Sequence, residues 1–135
     1  LDGRRIVVIL DACYSAGQHA GAKGAKSVPT VAEGHLFSRV LRRVSGQKDV
    51  NQKDVAFLAS STATQISMER RDGKHSVMTH YLIEFIKQSK SPLSLDEVFA
   101  YLKVKVPAYV ESNYRGSTQM PVLIDLTTKP LFLNK

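Results

Sequence analysis

The sequence predicts an α/β domain of three layers, α/β/α, around a mainly parallel sheet. Three observations lead there. Ile6 to Leu10 is a continuous apolar, mostly β-branched run, the pattern of a strand buried on both faces. Val55 to Ala59 is a second short apolar run. Around these runs, apolar residues recur at helical spacing, so strands alternate with amphipathic helices.

Taken in order, Ile6 to Leu10 is the first strand. Residues 14 to 34 are rich in Gly, Ala and Lys and read as a mobile loop. Leu36, Phe37, Val40, Leu41 and Val44 then predict a helix over residues 35–45, with Arg39, Arg42 and Arg43 on its outer face. Ser45 to Asp54 is polar and repeats Gln-Lys-Asp-Val at Gln47 and Gln52; two copies are too few for a repeat fold. It leads into the strand Val55 to Ala59, which a Ser/Thr-rich stretch, Ser60 to Ser67, follows.

Val77, Met78, Tyr81, Leu82, Phe85 and Ile86 mark a second helix. Ser94-Leu95-Asp96-Glu97 is a capping box that starts a third, with Leu95, Val98, Leu102 and Val106 inward. Pro107 is expected to end or kink it. Gln119 to Ile124 is the last strand, and Pro121 marks its start or a sheet edge.

The length of 135 residues suits one domain with a real core, and 43% hydrophobic with 23% charged residues is ordinary for a soluble globular chain. No apolar run reaches the roughly 20 residues that cross a bilayer, so no membrane partner is expected. The net charge of +7 invites a nucleic-acid reading. The Lys and Arg residues are spread over the chain without a recognition motif, so a solvated basic surface is the better account. The single Cys excludes an internal disulfide and fits a reducing, cytoplasmic location. The chain starts at Leu1 rather than Met, as a piece of a longer protein would.

That one Cys is Cys13, in Val7-Val8-Ile9-Leu10-Asp11-Ala12-Cys13-Tyr14-Ser15-Ala16-Gly17. An apolar run ends in an acid, then the thiol, then a small-residue turn. This puts Cys13 at the carboxyl end of a buried strand, where open α/β sheets build their sites. A lone Cys is usually a small core residue, and only its surroundings mark it as a nucleophile.

The segment resembles the nucleophile segment of the caspase-like cysteine peptidases: caspases, metacaspases and bacterial caspase homologues. Caspases read Gln-Ala-Cys-x-Gly there, and metacaspases Asp-x-Cys-x-Ser-Gly. Three further segments match in order. Phe57-Leu58-Ala59-Ser60-Ser61-Thr62, leading to Ser67-Met68-Glu69, is similar to Phe-x-x-Ser-Ser-Thr leading to Ser-Trp-Arg. Gly73-Lys74-His75-Ser76-Val77-Met78-Thr79 is similar to Gly-x-His-Gly-x-Phe-Thr, with Ser76 where Gly is usual. Gln119-Met120-Pro121 is similar to the Gln-x-Pro that opens the family's last strand.

The resemblance implies a cysteine endopeptidase with Cys13 as nucleophile, whose own N–H helps to form the oxyanion hole. It implies a substrate loop containing Ser60, Gln65, Ser67 and Glu69, along which a peptide pairs by its backbone. The family's base is a His on a Gly-flanked turn upstream of the Cys strand. Here His19, His35, His75 and His80 all follow Cys13. The base is therefore expected in a preceding segment or companion chain, and residues 1–135 as the carboxyl-terminal part of one peptidase domain.

Two caspase residues that hold a substrate Asp, the Gln before Ala-Cys and the Arg of Ser-Trp-Arg, are replaced here by Asp11 and Glu69. Both changes repel an acidic side chain and attract a basic one, so a substrate with Arg or Lys before the scissile bond is expected. Arg70 and Arg71 could instead neutralise Glu69. In the family the loop after the nucleophile can be cut by the enzyme itself. Lys23 and Lys26 are the corresponding candidates within residues 14–34, against an ordinary uncut loop. The resemblance also raises calcium activation, but no EF-hand loop is present and no metal ligand or cofactor is assigned. The alternatives are an inactive scaffold or regulator of the same fold and, more weakly, a basic nucleic-acid-associated module.

Overall fold

A computed structural model of the protein describes residues 5–11, 55–62 and 65–133. The predicted helix over residues 35–45 and the loop 14–34 lie outside these residues.

Strand β1, Ile6–Leu10, and strand β2, Val55–Ala59, fall where the apolar runs predict them. They pair in parallel, Ile6 opposite Val55 and Leu10 opposite Ala59. The Ser60 N–H continues the ladder to the Leu10 carbonyl at 2.9 Å. Helix α1 spans Val77–Gln88 and helix α2 spans Leu95–Asn113. Strand β3, Val122–Asp125, then pairs with β2 in antiparallel register, Ala59 opposite Val122 and Ala56 opposite Asp125. The sheet order is β1-β2-β3.

The described sheet is thus mixed, where a mainly parallel one was expected. The reason is the helix count between β2 and β3. One helix returns the chain to the start of the previous strand and makes the next strand parallel. Two helices carry it there and back, so β3 begins where β2 ends. The helices pack side by side in opposite directions. The segment entering α1 meets the end of α2, with the Arg71 N–H donating to Tyr109 Oη at 3.3 Å. Near the other end, Phe85 stacks on Tyr101 at 4.2 Å between ring centroids.

Full burial belongs to β2 rather than β1. Every β2 residue is buried, while Ile9 of β1 is 43% exposed. A strand with neighbours on both edges is shielded more completely than one paired on a single edge among the described residues. Leu58 faces the helices and joins Val77, Met78, Leu82, Val98, Leu102, Val106 and Val110. Val55, Phe57 and Ala59 form a second cluster with Ile6, Val8, Leu10, Val122 and Ile124. Alternate residues of one strand thus feed two apolar faces.

The capping box forms as expected. The Glu97 N–H donates to Ser94 Oγ at 3.2 Å, and the Ser94 N–H donates to Glu97 Oε2 at 2.8 Å. Pro107 does not end α2, which runs on to Asn113. Val106 and Val110, both fully buried, flank the proline and anchor the helix on the core. The proline lacks the N–H that would reach Lys103, but Lys103 is exposed, so water can satisfy its carbonyl. Past β3 the chain returns to the start of α2. The Leu95 N–H donates to the Leu131 carbonyl at 2.8 Å, and the Leu133 N–H to that of Leu93 at 3.0 Å.

Candidate active site

The described part of the site gathers where β1 ends and α1 begins. Asp11 follows the last residue of β1, and three hydroxyls converge on its carboxylate. Ser67 Oγ donates to Oδ1 at 3.0 Å. Ser76 Oγ and Thr79 Oγ1 both donate to Oδ2. Ser76 is also the N-cap of α1, its Oγ accepting from the Thr79 N–H at 3.1 Å. The carboxylate therefore sits at the amino end of a helix, where the helix dipole favours negative charge. A carboxylate has about four acceptor sites. The three hydroxyls take three, so among the described residues one on Oδ1 is left.

The loop after β2 is held from beneath by Gln119, a fully buried side chain. Its Nε2 donates to the Ser60 carbonyl at 2.9 Å, and its Oε1 accepts from the Met68 N–H at 2.8 Å. Gln65 holds the loop from within. Its Oε1 accepts from the Met120 N–H at 2.8 Å, and its Nε2 donates to Thr118 Oγ1 at 3.2 Å. Ser60, Ser61 and Ser67 are buried among these contacts. The loop thus has fixed ends rather than the freedom its Ser/Thr content suggests.

Beyond it, Glu69 and Ser76 pair in a short antiparallel bridge. The turn between them passes through Gly73 at φ +65°, a left-handed conformation that favours glycine. Arg70 pairs with Asp72 at 3.0 Å. That bond raises the Arg70 pKa and holds Asp72 below the usual carboxylate range. The Arg71 guanidinium donates to the Asn113 carbonyl and lies 5.6 Å from the Tyr114 ring centre. Both arginines therefore have partners other than Glu69, which is exposed and whose carbonyl accepts from Tyr114 Oη.

Of the residues expected at the site, Asp11 and Ser67 are brought into direct contact. Gln65 and Ser60 are built into the loop's scaffold, and Glu69 stands at its far end. Cys13, Lys23 and Lys26 lie outside the described residues. The sequence reading missed Ser76 and Thr79 as partners of Asp11, and Gln119 as the clamp of the loop. A signal existed for two of them. Ser76 stands at a helix start, the N-cap position, and Gln119 belongs to the Gln-x-Pro segment.

Among the described residues, no group of three or more His, Cys, Asp and Glu is placed to hold a metal ion. No described helix is long and apolar enough to cross a membrane.

A family model, that of the caspase domain, matches residues 1–132. No curated protein matches the chain significantly.

Proposed function

The chain belongs to the caspase domain family, a family of cysteine peptidases, and on that premise we propose that it carries the nucleophile of an endopeptidase that cuts after Arg or Lys. The observation that carries this reading is the immobilised carboxylate of Asp11, two positions before Cys13 in the sequence. A fixed carboxylate at the end of the nucleophile's strand attracts a cationic side chain and penalises an anionic one. Charge-assisted hydrogen bonds contribute roughly 1.5–3 kcal/mol, and each 1.4 kcal/mol is about tenfold in rate.

In this mechanism the basic side chain next to the scissile bond docks on Asp11, and the loop from Gln65 to Glu69 flanks the substrate backbone. A His upstream of the chain takes the Cys13 proton, because a free thiol is mostly protonated near neutral pH. The thiolate adds to the scissile carbonyl, and the Cys13 N–H donates to the developing oxyanion. The imidazolium then protonates the leaving amine, and water hydrolyses the thioester. With such specificity, Lys23 and Lys26 are the expected points of self-processing. Val55, Phe57 and Ala59 favour a further helical layer over their face of the sheet, completing the three-layer α/β/α arrangement.

The test uses the complete protein with peptides that differ only in Arg, Lys or Asp before the scissile bond. Arg and Lys peptides should be cut at least tens of times faster than Asp peptides, and Cys13→Ala should abolish all turnover while the protein stays folded. Asp11→Asn should lose most of the preference while Cys13 remains alkylatable. Equal cutting after Asp, or an unchanged preference in Asp11→Asn, would overturn the specificity. Full turnover by Cys13→Ala would overturn the peptidase itself.

A further inference from the structure

The Asp11 carboxylate meets hydroxyls from two separate pieces of chain, and neither piece is its neighbour in sequence. Ser67 comes from the loop after β2, and Ser76 and Thr79 from the first turn of α1. Ser76 has two tasks, as its Oγ donates to Asp11 and accepts from the Thr79 N–H. Thr79 likewise contributes its hydroxyl to Asp11 and its N–H to Ser76. The cluster is closed on the helix side. Among the described residues, Oδ2 receives both helix hydroxyls, and Oδ1 receives Ser67 alone.

We propose that Ser76 and Thr79 are positioning residues for substrate specificity: by occupying Oδ2 they hold the Asp11 carboxylate in one orientation and leave a single acceptor site on Oδ1 for the substrate's cation. This deepens the reading of Asp11 as the specificity acid and rests on it. A carboxylate on a short side chain can rotate about its last bond. Two donors on one oxygen remove that rotation before the substrate arrives, so the ordering cost is not met during binding. The hydroxyls are neutral and do not compete for the substrate's charge. The effect is therefore on recognition of the cation and not on the thiol.

The experiment compares the complete protein with Ser76→Gly, Thr79→Val and the double variant. Gly at an N-cap is nearly as good as Ser, and Val is the closest apolar match to Thr, so the changes remove hydroxyls with little disturbance of the helix. Each protein is given two peptides that differ only in Arg or its neutral isostere citrulline before the scissile bond. The double variant is expected to lose about tenfold of the Arg-over-citrulline ratio in kcat/KM, mainly through a higher KM for the Arg peptide. Alkylation of Cys13 by iodoacetamide should keep the parent rate. Ser76→Thr and Thr79→Ser, which each restore a hydroxyl, should keep the parent ratio.

An unchanged ratio in a folded double variant overturns the proposal, as does an equal loss for both peptides, the mark of a merely structural role. Should the double variant not fold, Thr79→Val alone decides on the same two criteria. A parent protein with no preference for Arg over citrulline overturns the specificity reading beneath the proposal. That result is separable, because it appears before any variant is made.

Discussion

Gln119 shows how one side chain can fix a loop. It is fully buried and satisfies two main-chain groups eight positions apart in sequence, the Ser60 carbonyl and the Met68 N–H. Replacing it with Leu keeps the bulk and removes both partners. Each buried polar group left unpaired costs about 1–3 kcal/mol, so Gln119→Leu should lower stability by about 2–6 kcal/mol in urea unfolding. A loss below about 1 kcal/mol would show that other contacts hold the loop. Glu69 stands at the opposite extreme. It is exposed, and Arg70 and Arg71 are committed to Asp72 and Asn113. Its charge is thus screened by water rather than by the arginines beside it, which leaves Asp11 as the dominant acid of the proposed pocket.

At the scale of the element, α2 has its strongest local signal at its start. Ser94 and Glu97 satisfy each other's main chain, and Ser94→Ala should cost about 1 kcal/mol near neutral pH. The Ser94 N–H, and then its hydroxyl, hold the Glu97 carboxyl below its ordinary value. A carboxyl lowered by folding adds stability that is complete above its unfolded value and fades as the pH falls through the folded one. The difference between parent and Ser94→Ala should therefore be full at pH 7 and shrink below about pH 4, read from paired urea titrations. A difference that is the same at both pH values would assign the cap to the hydroxyl alone. The box was legible in four residues because its partners are three positions apart. The continuation of α2 past Pro107 was not, because it depends on where Val106 and Val110 pack, on a core assembled from both helices and β2. The same helices join through Tyr101 Oη, which donates to Glu84 at 2.6 Å. Burial, and then that bond, push the Tyr101 phenol up to about 12, so it remains a neutral donor at physiological pH.

At the scale of the molecule, the division between legible and hidden follows sequence separation. Ile6–Leu10, Val55–Ala59 and the helix starting at Val77 were readable from local pattern. The hydroxyls of Ser67, Ser76 and Thr79 stand 56, 65 and 68 positions from Asp11, and no local pattern encodes such contacts. The antiparallel β3 follows from the number of helices before it, a property of the path rather than of its residues. The same limit governs the catalytic base. All four histidines follow Cys13, and the two described ones have places on or near α1. The His75 carbonyl accepts from the Arg70 N–H at 3.0 Å in the turn before the helix. His80 Nε2 lies 3.7 Å from Glu84, and its ring meets the edge of Tyr81 at 5.1 Å. These contacts fit a turn and a helix face. A general base contributes about 10²–10⁴ in rate. Replacing His19, His35, His75 or His80 singly by Asn in the complete protein should therefore leave Cys13-dependent turnover within about tenfold of the parent. Replacing the proposed upstream His should remove at least about a hundredfold. If one of the four histidines of this chain shows the larger loss, with the protein still folded, the base lies within residues 1–135 and the dyad must be redrawn around it.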